Sequence, residues 1–125
     1  MGTHRDLEAW KLEMALVKQV YADTAGFPPD ERFGLALQMR RAAVSVPSNI
    51  AEGAARRSSK EFAHFLSIAL GSLAELDTQM ELATSLGFMK QTCKTLEARS
   101  DVARPVTALR RSIEAKSHRS QITDH

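Results

Sequence analysis

The chain has 125 residues, of which 43% are hydrophobic and 26% are charged. This length and composition fit one globular domain with its own core and argue against intrinsic disorder. The formal net charge is +2, and one cysteine, Cys93, is present, so an internal disulfide is excluded and a reducing, cytoplasmic location is expected. No apolar run reaches the roughly 20 residues of a membrane span, and the polar N-terminus lacks a secretory signal, so no membrane partner is expected.

Charge is distributed unevenly along the chain. Residues 1–30 and 61–90 carry net negative charge, whereas residues 31–60 and 91–125 carry net positive charge. The strongest basic excess lies between Arg40 and Lys60. This alternation is typical of oppositely charged helices packed side by side, and it is equally typical of a basic face that meets phosphates or an acidic partner.

The first quarter of the sequence predicts an amphipathic helix. Its apolar residues recur at steps of three and four, which places them on one stripe facing the core. Gly26 offers a left-handed cap and Pro28 ends the helix. Pro29 then suits the first position of a second helix, with two acidic residues at its positive end. The predicted core stripe of the first helix is Leu7, Trp10, Met14, Val17 and Tyr21.

The second helix is predicted to be kinked. Pro47 lies within it, removes a backbone donor and crowds the carbonyl group of Ala43, so a bend is expected near residues 43–47. Gly53 is a second weak point, because glycine in a helix interior costs about 1 kcal/mol relative to alanine. The apolar stripe predicted to face the core is Leu35, Met39, Ala43, Val46, Ile50 and Ala54.

The third helix has clear start and stop signals. Ser58 and Glu61 have the spacing of a capping box, in which each side chain accepts a hydrogen bond from the other residue's amide. Gly87 followed by Phe88 predicts a Schellman stop with an apolar residue beyond the glycine. The stripe between these signals, with heptad-like steps, is Phe62, Leu66, Ala69, Leu73, Leu76, Met80 and Ala83.

A weaker fourth helix, broken or kinked at Pro105, completes the pattern. Its apolar stripe is predicted to be Cys93, Leu96, Val102, Val106, Leu109 and Ile113. Residues 117–125 have no apolar pattern and are expected to form a frayed polar tail. Four amphipathic helices with short connections predict an all-α fold, an antiparallel up-down four-helix bundle in a single domain over residues 1–116.

Patterns for catalysis or metal binding are weak. Glu61 and His64 form an i, i+3 pair of the kind that di-iron bundles use, but that chemistry needs a second pair and two more glutamates. Cys93 lies on an apolar stripe and is expected to be a small core residue. Neither a phosphate-binding glycine loop nor a nucleophile elbow is present. We therefore expect no cofactor, no metal and no enzymatic activity.

The segment from Arg40 to Gly53 contains several poor helix formers, so packing or function must hold it in a helix. Its small residues would let a neighbouring backbone approach closely, with Gly71 and the following serine as a facing counterpart. Asn49 and Glu52 are three residues apart and share a face, where they are able to hydrogen-bond within the bundle or between subunits. The predicted packing or oligomer contacts are Ser45, Pro47, Ser48, Asn49, Glu52, Gly53 and Gly71.

This segment and the helix after it resemble the 23S rRNA intervening-sequence proteins, also called the bacterial four-helix-bundle protein family. The specific part is VPSNIAEG at residues 46–53, and KEFxxFLxIAxGSLxEL at residues 60–76 strengthens it. The similarity runs from about Leu7 to Phe88, and the Arg-rich final quarter departs from the family pattern.

The resemblance implies a ring-shaped homopentamer with a central channel. Some members are encoded within insertions in large-subunit rRNA genes, and a related branch assists the reverse transcriptase of diversity-generating retroelements through a basic surface that binds nucleic acid. Characteristic family positions are matched by Arg40, Arg41, Asn49, Glu52 and Gly53, and the family's basic turn is matched by Arg56, Arg57 and Lys60.

Two functions of different classes follow. In the first, a homo-oligomeric bundle binds RNA or DNA without reading sequence, and the phosphates are contacted by Arg40, Arg41, Arg56, Arg57 and Lys60. In the second, the chain is a structural assembly module or an accessory factor for a protein partner such as a reverse transcriptase, with no direct nucleic-acid contact. A plainer interpretation of the two adjacent arginines is pairing with acids of the third helix, such as Glu75, Asp77 or Glu81.

Overall fold

The computed structural model describes the backbone of residues 4–90 and 93–123, and the side chains of residues 5–90 and 102–118. Within these ranges the chain forms four α-helices and no β-strand. The helices are α1 (His4–Thr24), α2 (Leu35–Ala54), α3 (Ser59–Ser85) and α4 (Cys93–Thr123), with a short 3₁₀ helix at Pro29–Glu31 between the first two.

Each helix packs against two others. α1 contacts α2 and α4, and α3 contacts α2 and α4, with the most extensive contact between α2 and α3. Short connections make sequential helices antiparallel neighbours. The structure therefore confirms the all-α four-helix bundle. None of the helices, over the residues described, is both long and apolar enough to cross a bilayer.

The second helix begins later than the sequence predicts. Pro29–Glu31 forms a 3₁₀ turn, and α2 starts at Leu35. Its free N-terminal amide at Leu35 donates to Glu31 Oε2 at 3.0 Å. Gly34 makes room for this cap, because a Cβ atom there would lie 2.7 Å from the same oxygen. The prediction that Pro29 opens α2 is thus wrong, since a side-chain cap from Glu31 starts the helix instead.

The C-terminal end of α3 forms as predicted, and one of the two predicted capping-box bonds is present at its start. Ser58 Oγ accepts from the Glu61 amide at 3.1 Å, which is the first of the two capping-box bonds. At the other end Gly87 has φ of +79°. The Gly87 amide donates to the Thr84 carbonyl at 3.0 Å and the Phe88 amide to the Ala83 carbonyl at 2.9 Å, which is the Schellman pattern.

The core stripes of α2, α3 and α4 agree with the sequence prediction wherever side chains are described. All seven predicted stripe residues of α3 are buried, and on α2 all but the half-buried Ala54 are. On α4 the buried residues are Val102, Val106, Leu109 and Ile113, while the Cys93 and Leu96 side chains lie outside the described residues.

Both internal prolines lie inside continuous helices. α2 runs through Pro47 and α4 runs through Pro105, so α4 is not broken there. A bend of either axis at its proline stays a prediction. α4 extends as far as Thr123, into the segment 117–125 for which fraying is predicted.

α1 turns a different face to the core than predicted. Leu7 and Tyr21 are 47% and 45% exposed, and the three predicted stripe residues between them are only partly buried. The prediction failed because apolar residues on α1 occupy two adjacent faces. On the predicted stripe, Trp10 and Val17 pack against the edge of the core and the residues at both ends are exposed. The buried stripe is Asp6, Ala9, Glu13, Leu16, Val20 and Thr24.

Candidate interaction site

The polar residues in the middle of α2 are satisfied within the bundle. Asn49 Nδ2 donates to the Ser45 carbonyl at 2.7 Å and to Ser45 Oγ at 3.0 Å. The Ser45 and Ser72 hydroxyl groups share a hydrogen bond of 2.8 Å between α2 and α3. Ser72 is thus the facing counterpart that the sequence predicts on α3.

The hydroxyl group of Ser48 follows the same pattern, donating to the Val44 carbonyl at 2.7 Å. Side chains that bond back to the carbonyl four residues earlier satisfy their own polar groups without leaving the helix. Pro47 itself is buried. The bonds of Ser45, Ser48 and Asn49 explain how α2 tolerates two serines and an asparagine in its interior.

Asn49 and Glu52, which the sequence places on one face of α2, hydrogen-bond to different partners. Asn49 is directed to Ser45, as above, whereas Glu52 Oε1 accepts from Arg56 Nη2 at 2.8 Å. An i, i+4 pair between exposed side chains is worth a few tenths of a kcal/mol. Glu52 therefore orients Arg56 near the end of α2.

Gly53 is a point of close approach between α2 and α3. A Cβ atom there would lie 2.8 Å from Phe62 Cδ1 and 2.9 Å from Phe65 Cβ. Gly71 differs, because a Cβ atom there meets nothing within 4 Å. Gly53 therefore lies at a close approach within the bundle, whereas Gly71 lies on the exposed surface of α3.

Arg40 connects α2 to the end of α1. Its Nε donates to Thr24 Oγ1 at 2.8 Å, and its guanidinium carbon lies 4.6 Å from the centroid of the Tyr21 ring. The Thr24 hydroxyl in turn donates to the Val20 carbonyl at 2.8 Å. Arg40 is half-buried, so its contacts within the bundle compete with any contact to a partner.

Pairing of Arg40 and Arg41 with acids of α3 is not observed. Arg40 contacts α1 instead, and Arg41 is exposed without an ion pair in the part of the chain that the structure describes. The plainer interpretation of these arginines is therefore wrong for the described residues. Their different fates follow from their positions on α2, since adjacent residues point about 100° apart.

The remaining cations gather at the turn between α2 and α3. Arg57 and Lys60 are exposed, and within the described residues neither forms an ion pair. Arg56 lies over the ring of Phe65, 4.9 Å from its centroid. A shallow cleft of about 400 Å³ is lined by Arg56, Lys60, Glu61, His64 and Phe65. We call Arg56, Arg57 and Lys60 the basic turn.

Arg41 is separate from the basic turn. Arg56 lies fifteen positions after it along mostly helical chain, which corresponds to about 20 Å along the bundle. The five predicted phosphate-binding residues therefore do not form one compact patch. Three lie together at one end of the bundle, one lies along its side, and Arg40 contacts α1.

Metal-binding geometry is absent from the described residues, where no group of three or more histidine, cysteine, aspartate or glutamate side chains comes together. Glu61 and His64 border the cleft at the basic turn. What the arrangement offers chemically is positive charge on an accessible turn beside an aromatic ring.

Comparison with known families decides the classification. The model of the 23S rRNA-intervening sequence protein family matches residues 5–106. The chain belongs to this family. No functionally curated protein matches its sequence. The match of the family model confirms the resemblance that begins near Leu7 and centres on VPSNIAEG. The family is not a known enzyme family.

The sequence prediction missed one chemically unusual residue. Glu13 is fully buried on the core stripe of α1, and neither carboxylate oxygen has a hydrogen-bond partner among the residues that the structure describes. Burial raises the pKa of Glu13 from 4.5 to about 8. The sequence signal for its burial was its position one helical turn from Ala9 and from Leu16. Those two apolar residues alone form too weak a stripe to predict a buried face.

Proposed function

We propose that this member of the 23S rRNA-intervening sequence protein family is a non-enzymatic, self-associating bundle that binds nucleic acid through the basic turn. The observation that carries the proposal is the position of Arg57 and Lys60. Both are exposed at one end of the bundle and, among the described residues, lack an acidic partner. Such cations are available to replace counterions along a phosphate backbone.

The expected recognition is independent of sequence. Most aromatic side chains with described surroundings lie in the core or against it, and Phe65 is covered by Arg56. Stacking of bases is therefore a poor fit, and backbone contact is favoured. A ring of copies, with a pentamer as the proposed form, would repeat the basic turn around an axis and raise the effective affinity of a weak single site.

A salt titration tests this proposal. We expect the affinity for a fluorescent RNA or duplex DNA to fall linearly on logarithmic axes as salt rises. Replacing both Arg57 and Lys60 by alanine should reduce the magnitude of the slope of log affinity against log salt by about 2 for duplex DNA, since each phosphate contact contributes about 0.9. The matched control replaces Arg111 and Lys116, two exposed cations of α4.

The outcomes separate the possibilities. No binding at low salt would refute nucleic-acid recognition. An equal loss from the α4 control would show that binding is spread over the surface and does not centre on the basic turn.

A protein partner is the second candidate, favoured by the exposed apolar residues of α1 and α2. In that case the chain acts as a structural assembly module or as an accessory factor, for example of a reverse transcriptase. Light scattering and co-purification with a candidate partner, in the absence of nucleic acid, would distinguish this function from the first.

A further inference from the structure

We propose that the outward face of α1 and α2 packs against the exposed side of α3 in a second copy of this chain. The inference rests on the self-association in the proposed function and adds the surfaces that mediate it. Neither surface includes a cation of the basic turn, and the second surface reaches the cleft there only through Glu61.

The first surface is apolar and continuous across two helices. A groove of about 350 Å³ between them is lined mainly by Trp10, Met14, Val17, Val44, Pro47 and Ala51. Leu7 and Tyr21 extend the same stripe of α1 at 47% and 45% exposure, and Val44 is 40% exposed. Contiguous apolar surface of this kind is a mark of protein contact sites. We call it the apolar face.

Positive charge borders the apolar face. Lys11 and Lys18 directly follow Trp10 and Val17 in sequence, and Arg41 lies one turn before Val44 on α2; all three cations are exposed. Within the described residues none of the three forms an ion pair. An apolar centre with a charged rim is the usual anatomy of a protein–protein interface.

The second surface, on α3, has the opposite charge. Glu61, Ile68, Glu75 and Leu82 follow one another at intervals of seven residues, so they lie along one side of the helix. All four are exposed, Ile68 by 40% and Leu82 by 48%. We call this row, which alternates acidic and apolar residues, the α3 row.

Gly71 lies beside the α3 row. It is one turn from both Ile68 and Glu75, and the space where its side chain would be is open within the bundle. A second helix is therefore able to approach the α3 backbone closely at this point, which a larger residue would prevent.

A second copy is the occupant that fits both surfaces. The apolar face has a basic rim and the α3 row supplies carboxylates with apolar residues between them, so each chain carries both halves of one complementary pair. Because the two halves are different surfaces, the contact is head-to-tail, and such contacts close into rings when the rotation allows. The proposed ring-like assembly of this family member thus receives a defined interface.

The first test compares two apolar-to-acidic substitutions. Val44→Glu places a charge in the apolar face, and we expect the dissociation constant of the assembly to rise on the order of tenfold or more in sedimentation experiments. Phe33→Glu is the matched control, because Phe33 is 80% exposed and lies outside both surfaces. The assembly of Phe33→Glu should be unchanged. Circular dichroism should show that both variants keep their helical structure.

The second test does not introduce a charge into an apolar surface. Gly71 is exposed and nothing lies within 4 Å of a Cβ atom added there, so we expect Gly71→Phe to leave the isolated bundle folded and to block the neighbouring copy. Lys18→Glu and Glu75→Lys should each weaken assembly, while the double variant should recover part of the loss if the two surfaces meet.

These experiments distinguish a failure of self-association, which belongs to the proposed function, from a failure of the two surfaces proposed to mediate it. A wild-type protein that stays monomeric at high concentration would refute self-association itself. A wild-type assembly that persists with unchanged mass in both Val44→Glu and Gly71→Phe would overturn these surfaces while leaving self-association in place.

Discussion

Glu13 places a carboxyl group in the interior of the bundle, on the stripe of α1 that also carries Ala9, Leu16 and Val20. Because its oxygens have no hydrogen-bond partner in the described part of the chain, ionisation there is opposed by the loss of hydration. The folded protein therefore holds this residue protonated at neutral pH, with its pKa raised to about 8. The unfolded chain releases the same proton near pH 4.5.

Stability should consequently fall as pH rises between these two values. Below about pH 4.5 both states keep the proton and Glu13 has no effect on pH dependence. Between the two pKa values the unfolded state binds fewer protons, so the free energy of unfolding decreases by about 1.4 kcal/mol per pH unit. Above about pH 8 the contribution becomes constant.

Glu13→Leu should remove this dependence and stabilise the protein most at alkaline pH. Urea unfolding at pH 5, 7 and 9 measures the effect as the difference between variant and wild type. Asp30→Asn, which changes an exposed carboxylate outside both proposed surfaces, is the control and should follow the wild-type curve. Parallel curves for wild type and Glu13→Leu would contradict the assignment of a neutral buried carboxyl.

At the scale of elements, α2 and α3 were predictable because each carries one uninterrupted apolar stripe. The cap at Ser58 and the stop at Gly87 are local signals, readable without knowledge of the neighbours. α1 was not predictable in this way. Its buried stripe includes Asp6 and Glu13, and only the packing of α2 and α4 determines which of its two faces is covered.

Two helical glycines should respond oppositely to alanine. At Gly53 the new Cβ atom would lie within 3 Å of both Phe62 and Phe65, so overpacking by about 1–3 kcal/mol outweighs the gain in helix propensity. At Gly71 the space is open, and Gly71→Ala should stabilise the bundle by up to about 1 kcal/mol. Chemical denaturation of the two variants checks the signs, and a stabilising Gly53→Ala would refute the close approach.

For the whole molecule, the sequence identified the family and the positions of the cations. It did not show which cations are exposed to a partner and which are held by contacts within the bundle. Arg40 and Arg41 look equivalent in sequence, yet one contacts Thr24 on α1 while the other is exposed. That difference depends on how α1 and α2 are aligned along their length. The apolar face was likewise hidden, since its α1 residues read as core until the bundle is assembled.

The close approach at Gly53 also bears on how the chain folds. Only residues 55–58 separate α2 from α3, the pair with the most extensive contact. Closing so short a loop costs little chain entropy, so this hairpin is the favoured folding nucleus. Substitutions at Gly53 or Phe62 should then slow folding, whereas substitutions at Leu16 on α1 should mainly speed unfolding, a contrast that stopped-flow kinetics would reveal or refute. A sequence motif that identifies the family would in that case also guide the first step of its folding.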